Sequence, residues 1–287
     1  MAVAAAEPQV VWHAHPDVWI LMGGLALAYV FAVAKLGPKR APEGEPSVTT
    51  RQKAWFFAGL AALYIGSEWP IHDIAEDFLF SVHMVQHTIF TLVAPPMLLL
   101  GMPRWMLRAL LPAPLMKAGR FLFRPLIALI IFNVVIAVTH WPRLVNASVA
   151  SEPTHFLLHV VLVGSALIMW WPVVGRLPEL PSLGDPGKIL YLFAQSIVPT
   201  VPASFLTFAE EPLFSSYASF PRLWGISAVT DQMTAGLLMK IGGGLLLWGI
   251  IAVIFFRWHM KEERETTESV TWHEFEHELE ALDLRRT

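Results

Sequence analysis

Three pairs of histidines in this sequence have the spacing that allows two imidazoles to bind one metal ion. The pairs are His83/His87, His155/His159 and His273/His277. Residues four positions apart lie on one face of a helix, so each pair could offer two ring nitrogens to the same ion. The third pair forms an H-E-x-x-H motif, which is typical of zinc proteases. Its glutamate-rich tail is too short to form the core that such a site needs, so we expect a short amphipathic helix there.

The composition indicates an integral membrane protein. Of the 287 residues, 55% are hydrophobic and only 15% are charged, whereas soluble domains carry about 25% charged residues. The net charge of −3 gives no indication of a nucleic-acid partner, so the lipid bilayer is the first partner that we expect. The chain has no cysteine, which excludes disulfides, thiolate metal sites and c-type haem attachment.

Seven hydrophobic segments are long enough to cross a membrane as helices, so the predicted fold is an all-α polytopic bundle. They cover residues 17–36, 53–70, 78–100, 124–141, 154–173, 188–208 and 230–256. The chain then divides into an external segment (1–16), a transmembrane domain (17–256) and a charged cytoplasmic tail (257–287). Pro95 and Pro96 should interrupt the third helix, and buried neighbours would have to bond the carbonyls that lose their partners.

The charged loops predict the orientation of these segments. Lysine and arginine concentrate in the loops after the first and third segments and at the start of the tail, whereas the alternate loops carry one or none. By the positive-inside rule, the N-terminus lies outside and the C-terminus lies in the cytoplasm. Eight histidines then fall outside or in the outer half of a segment, namely His13, His15, His72, His83, His87, His140, His155 and His159.

The two histidine pairs within the membrane lie at similar depth and could form one metal site. Its predicted ligands are His83, His87, His155, His159 and Asp231. Asp231 could bind the metal, orient an imidazole or cap a helix. The residues expected around these ligands are Gln86, Gln232, Met84, Met233 and His140. Imidazoles, a carboxylate and thioethers suit copper or zinc, while facing histidines on two helices could also be axial ligands of a b-type haem.

Four segments in order resemble the CtaG-type cytochrome c oxidase assembly proteins. They are EDFLFSVHMVQHTIFTLVAPPMLLLGMP (76–103), HFLLHVVLVGSALIMWWPVVG (155–175), YLFAQSIVPTVPASFLTFAEEPLFSSYA (191–218) and DQMTAGLLMKIGGG (231–244). The resemblance implies a seven-span protein of the bacterial cytoplasmic membrane that assembles a haem-copper cytochrome c oxidase. It implies oxidase subunits as partners, copper as the ion delivered, and functional roles for both membrane histidine pairs, Asp231 and Gln232. Met233 and Lys240 depart from the family pattern, which has a glutamine and a tryptophan there.

Several functions are compatible with these residues. The leading hypothesis is a non-enzymatic assembly factor that holds copper and passes it on. An intramembrane metalloenzyme with zinc or iron is less favoured, because neither membrane pair encloses a glutamate and Gln86 cannot act as a general base. The same residues would also suit a b-type haem protein. A transporter is a further alternative, using Lys240 and the third and sixth segments, which prolines interrupt.

Overall fold

The computed structural model describes residues 8–283, except for the side chains of 266–274 and 283. Within this range the regular secondary structure is helical, which confirms the predicted all-α class. The main helices are α1 (Pro16–Arg40), α2 (Thr50–Ser67), α3 (Ile71–Asp77), α4 (Phe80–Gly101), α5 (Arg104–Leu110), α6 (Ala113–Leu122), α7 (Pro125–Thr139), α8 (Pro142–Val149), α9 (Glu152–Val174), α10 (Asp185–Phe208), α11 (Ser215–Ser219) and α12 (Ala228–Glu265).

Five helices of the described range are long and apolar enough to cross a membrane, which supports the prediction of a membrane protein. They are α1, α4, α9, α10 and α12, and the pair α6 and α7, bent by 85°, would make a sixth. The second predicted segment corresponds to α2, which carries Arg51 and Lys53 in its first turn and lies outside this set. The number seven and the orientation therefore stay predictions.

The tail continues the last helix instead of starting a separate one. The backbone is helical without a break from Gly243 to Asp283, because no proline interrupts this stretch. The side chain of His273 lies outside the described side chains, so the terminal H-E-x-x-H motif gains no structural support as a metal site.

Helix α4 packs between α2 and α9 and carries the first histidine pair. Its last residue, Gly101, touches the backbone of α2, and a Cβ built there would lie 2.6 Å from the Cα of Phe56. This close approach fixes the position of α4 in the bundle, because the helices could not pack at this distance with a larger residue.

The prolines of α4 produce the interruption that the sequence predicts. The helix passes through a π-helical turn at Ile89–Val93, which begins two residues after His87. Pro95 has no N–H, so the carbonyl of Thr91 loses its usual helical partner. The indole N–H of the buried Trp170 on α9 donates to that carbonyl at 2.8 Å. A neighbouring helix thus satisfies the freed backbone group, as predicted, and this bond also ties α9 to α4.

Candidate metal centre

Helices α4 and α9 bring three histidines to one point. Each of His83, His87 and His159 can offer a ring nitrogen such that the three atoms lie within 4.8 Å of one another. We call these residues the inner group. Each comes from one of the two predicted pairs, since α4 supplies two and α9 the third.

The histidines of the inner group have ring nitrogens that form no hydrogen bond. The Nδ1 atoms of His83 and His87 and the Nε2 atom of His159 are buried and have no hydrogen-bond partner. Buried polar groups are almost always partnered, because an unpaired one loses the hydrogen bonds that it made in water. A metal ion bound by these three residues would supply a partner to ring nitrogens of this kind. A cavity of about 20 Å³ lies beside them, which is room for one ion or one water molecule.

A second set of possible ligands adjoins the first. His72, Glu76 and His155 can each offer one atom such that the three atoms also lie within 4.8 Å of one another. We call these residues the outer group. His72 and Glu76 lie on the short helix α3, and neither was predicted from the sequence as a site residue. Their spacing of four positions equals that of the histidine pairs, so a search for mixed His/Glu pairs would have found them.

Glu76 links the two groups. One carboxylate oxygen, Oε2, lies 3.1 Å from Nδ1 of His155. The other, Oε1, lies 3.4 Å from Nδ1 of His83, but the two atoms do not have the geometry of a hydrogen bond. His155 also contacts the hydroxyl of Ser148 on α8 through the same Nδ1 atom, at 3.3 Å. The fourth predicted histidine ligand therefore belongs to the outer group by geometry.

Burial changes the pKa values of the two α3 side chains. It lowers the pKa of His72, which keeps this ring neutral and its lone pair available to a metal. Burial also raises the pKa of Glu76, although the nearby His155 acts in the opposite direction. A cation placed between them would favour the ionised carboxylate.

Asp231 lies at the start of α4 and not among the imidazoles. Its two carboxylate oxygens accept hydrogen bonds from the backbone N–H groups of Phe80 (2.7 Å) and Ser81 (2.9 Å). These are the first residues of α4, whose N–H groups have no partner within the helix. Asp231 is thus a cap, but for α4 rather than for its own helix, which Ser227 caps.

The residues expected around the ligands divide into two kinds. Gln86 donates from Nε2 to the carbonyl of Gly66 at 2.8 Å, and the same atom lies 3.1 Å from Nδ1 of His72. It therefore orients an outer-group ring. Gln232 instead accepts from the N–H of Leu213 at 2.6 Å and secures a loop. Met233 is 40% exposed on the surface of the bundle.

His140 and Met84 lie beside the inner group. His140 contacts the carbonyl of Ile136 through Nδ1 at 2.7 Å, which places the proton there and leaves Nε2 as a buried acceptor without a partner. Its ring centroid is 5.4 Å from that of His87. Met84 is fully buried. Lys240 lies in the π-helical turn Leu238–Gly242 and is exposed on the outside of the bundle.

The fold and this site define a class of protein, a helical membrane bundle with a buried histidine cluster. A family model described as cytochrome c oxidase caa3 assembly factor (Caa3_CtaG) matches residues 27–261. The match covers most of the chain, and the protein belongs to this family of cytochrome c oxidase assembly factors. No curated protein and no solved structure matches the chain.

Proposed function

We propose that this protein assembles a haem-copper cytochrome c oxidase by holding copper(I) at the inner group and delivering it to an oxidase subunit. Membership of the assembly-factor family supports the role in oxidase assembly. The copper proposal rests on two observations: His83, His87 and His159 can each place one ring nitrogen within 4.8 Å of the others, and each carries a buried ring nitrogen without a hydrogen-bond partner. Copper is the cargo in this proposal, and the bacterial cytoplasmic membrane is the expected location.

The charge of the inner group favours a monovalent ion. Its three ligands are neutral imidazoles, so the bound ion keeps its full charge in a poorly solvated place. The cost of moving an ion out of water grows with the square of its charge, which makes it about four times larger for a divalent ion. Copper(I) also tolerates low coordination by imidazole. Zinc(II) on three neutral imidazoles takes a water or hydroxide as its fourth ligand.

A methionine-lined cavity next to the inner group supports the same choice. The cavity has a volume of about 60 Å³, and His87 lines both this cavity and the smaller one beside the inner group. The residues that line it include Met84, Met169, Met239 and His140. Thioethers are soft ligands that select copper(I), and imidazole also binds copper. The cavity thus gives the ion a chemically suitable next position on its way out of the inner group.

A haem is poorly accommodated by the same histidines. Binding pockets for organic ligands larger than a few atoms occupy about 300–1,000 Å³, whereas the cavity beside the inner group holds about 20 Å³. The imidazoles are packed for a single ion and not for a macrocycle between them.

The binding experiment uses the purified protein in detergent, stripped of metal and titrated with copper(I) against a competing chelator. We expect one tightly bound copper(I) per wild-type chain. The double variant His83→Ala/His87→Ala should bind at least about 100-fold more weakly, because even residues that only support a metal ligand contribute 10–100-fold. His259→Ala is the matched control, since it removes an exposed histidine from the far end of α12. Wild-type affinity in the double variant would refute the site.

A further inference from the structure

We infer that the outer group, His72, Glu76 and His155, is a second metal site, and that it binds a divalent transition-metal ion. This inference goes beyond the proposed function, because it concerns other residues and a differently charged ion. Zinc(II), copper(II) and cobalt(II) share the required ligand chemistry.

The geometry of the outer group is that of a three-ligand site. Its three ligand atoms lie within 4.8 Å of one another. Two of its polar atoms, Oε1 of Glu76 and Nε2 of His155, are buried and have no hydrogen-bond partner. The ligands come from two elements that are fixed independently. The hydroxyl of Tyr217 bonds the carbonyl of Ala75 in α3 at 2.8 Å, and α9 is tied to α4 through Trp170.

The charge of the outer group distinguishes it from the inner group. Two imidazoles and one carboxylate carry a net charge of −1 when Glu76 is ionised, which offsets half the charge of a divalent ion. Two histidines and one glutamate with an open fourth position are also a known ligand set for catalytic zinc. The two adjacent groups therefore differ in the ion that each stabilises, monovalent copper in one and a divalent ion in the other.

Further imidazoles and a carboxylate lie next to the outer group, on the predicted external side. The N-terminal segment lies over α3, where Nε2 of His15 contacts Oδ1 of Asp73 at 3.0 Å. The ring centroids of His15 and His72 are 4.8 Å apart, and the two rings meet edge to face. His13 lies 3.8 Å from the same carboxylate oxygen, and its side chain is 61% exposed. Imidazoles and carboxylates thus continue from an exposed histidine to the outer group, and an ion arriving from this side would meet these ligand groups in turn.

Cobalt(II) tests the second site directly, because its visible d–d absorption reports the ligands and geometry around the ion. Metal-free wild-type protein should bind one cobalt(II) with a saturable visible spectrum. Glu76→Gln and His72→Ala should each weaken this binding by about 100-fold or more. Cobalt(II) binding should be unchanged in the double variant His83→Ala/His87→Ala and in the control His259→Ala. His72→Gln gives a second, bulkier variant if His72→Ala does not fold, as judged by circular dichroism.

Two results would overturn the inference. One is wild-type cobalt(II) binding in folded Glu76→Gln and His72 variants, which would mean that these residues only hold the rings in place. The other is loss of the cobalt(II) spectrum in His83→Ala/His87→Ala, which would put the ion in the inner group. The copper(I) titration of the same proteins separates this test from the proposed function. Copper(I) binding can fail in the wild type while cobalt(II) binding persists, and the reverse result is equally distinguishable.

Discussion

Asp231 illustrates how burial decides the role of a single carboxylate. The sequence predicts it as a ligand because it lies on the same side of the membrane as the histidines. In the structure both of its oxygens accept from backbone N–H groups of α4, and its side chain is 2% exposed. A negative charge at a helix N-terminus is stabilised by the helix dipole. The preference for capping could not be predicted, because the partner helix begins about 150 positions earlier in the chain.

The substitution Asp231→Asn separates a cap from a ligand. An amide directs an N–H group at one of the two backbone donors, so we expect a loss of about 1–3 kcal/mol in unfolding free energy. Copper(I) binding should be unchanged. Thermal unfolding in detergent and copper titration of the same sample measure both quantities. A folded Asp231→Asn protein that has lost copper(I) binding would instead make Asp231 a ligand.

Glu76 is the site residue whose absence from the sequence prediction has the greatest consequence. A metalloenzyme was disfavoured because neither membrane histidine pair encloses a glutamate. The fold supplies a glutamate from α3, 3.1 Å from His155 and 3.4 Å from His83. The two pairs were predictable from spacing alone, since helix periodicity fixes which residues share a face. A ligand from a separate short helix depends on tertiary packing, which spacing does not contain.

At the scale of the helices, the interruption of α4 was predictable and its detailed form was not. Two adjacent prolines remove two N–H donors whatever the surroundings, so some neighbour must bond a freed carbonyl. The identity of that neighbour, Trp170, depends on the register of α9 against α4. The π-helical turn that results begins two residues after His87. Such turns occur frequently at functional sites, and this one adjoins the inner group.

The substitution Gly101→Ala tests the close packing of α4 against α2. The added Cβ would meet backbone atoms of Phe56, which cannot move aside as a flexible side chain can. We expect a loss of about 1–3 kcal/mol, measured as a lower unfolding temperature in detergent. The matched control is Gly164→Ala in α9, where a Cβ meets nothing within 4 Å. Equal unfolding temperatures for the two variants would contradict this packing.

At the scale of the whole molecule, composition and hydrophobic length were sufficient for the all-α membrane class. The bilayer sets the length and the apolar character that a spanning helix needs, so this prediction requires no tertiary information. The family was recognisable from four ordered motifs, and the match over residues 27–261 confirms it. The span count stays open because α2 carries charge in its first turn and α6 and α7 meet at 85°. Length and hydropathy alone do not determine whether such helices cross the membrane.

The histidines described above are concentrated at one end of the helical bundle. The inner group, the outer group and the N-terminal histidines lie at the end of the bundle that the positive-inside rule assigns to the exterior. This end would meet copper outside the cytoplasm and face the external parts of an oxidase. The methionine-lined cavity adjoins the inner group through His87. The arrangement is consistent with a carrier that accepts an ion at one end and holds it within the membrane.

The central claim is that the inner group supplies copper to the oxidase, and the copper content of the oxidase itself tests it most directly. Cells would carry wild-type protein, His83→Ala/His87→Ala or the control His259→Ala, each at equal abundance, and the oxidase would be purified from each. We predict full copper content with the wild type and the control. With the double variant, copper should fall to the level found in cells that lack the protein. A fully copper-loaded oxidase from cells with the double variant would contradict the claim.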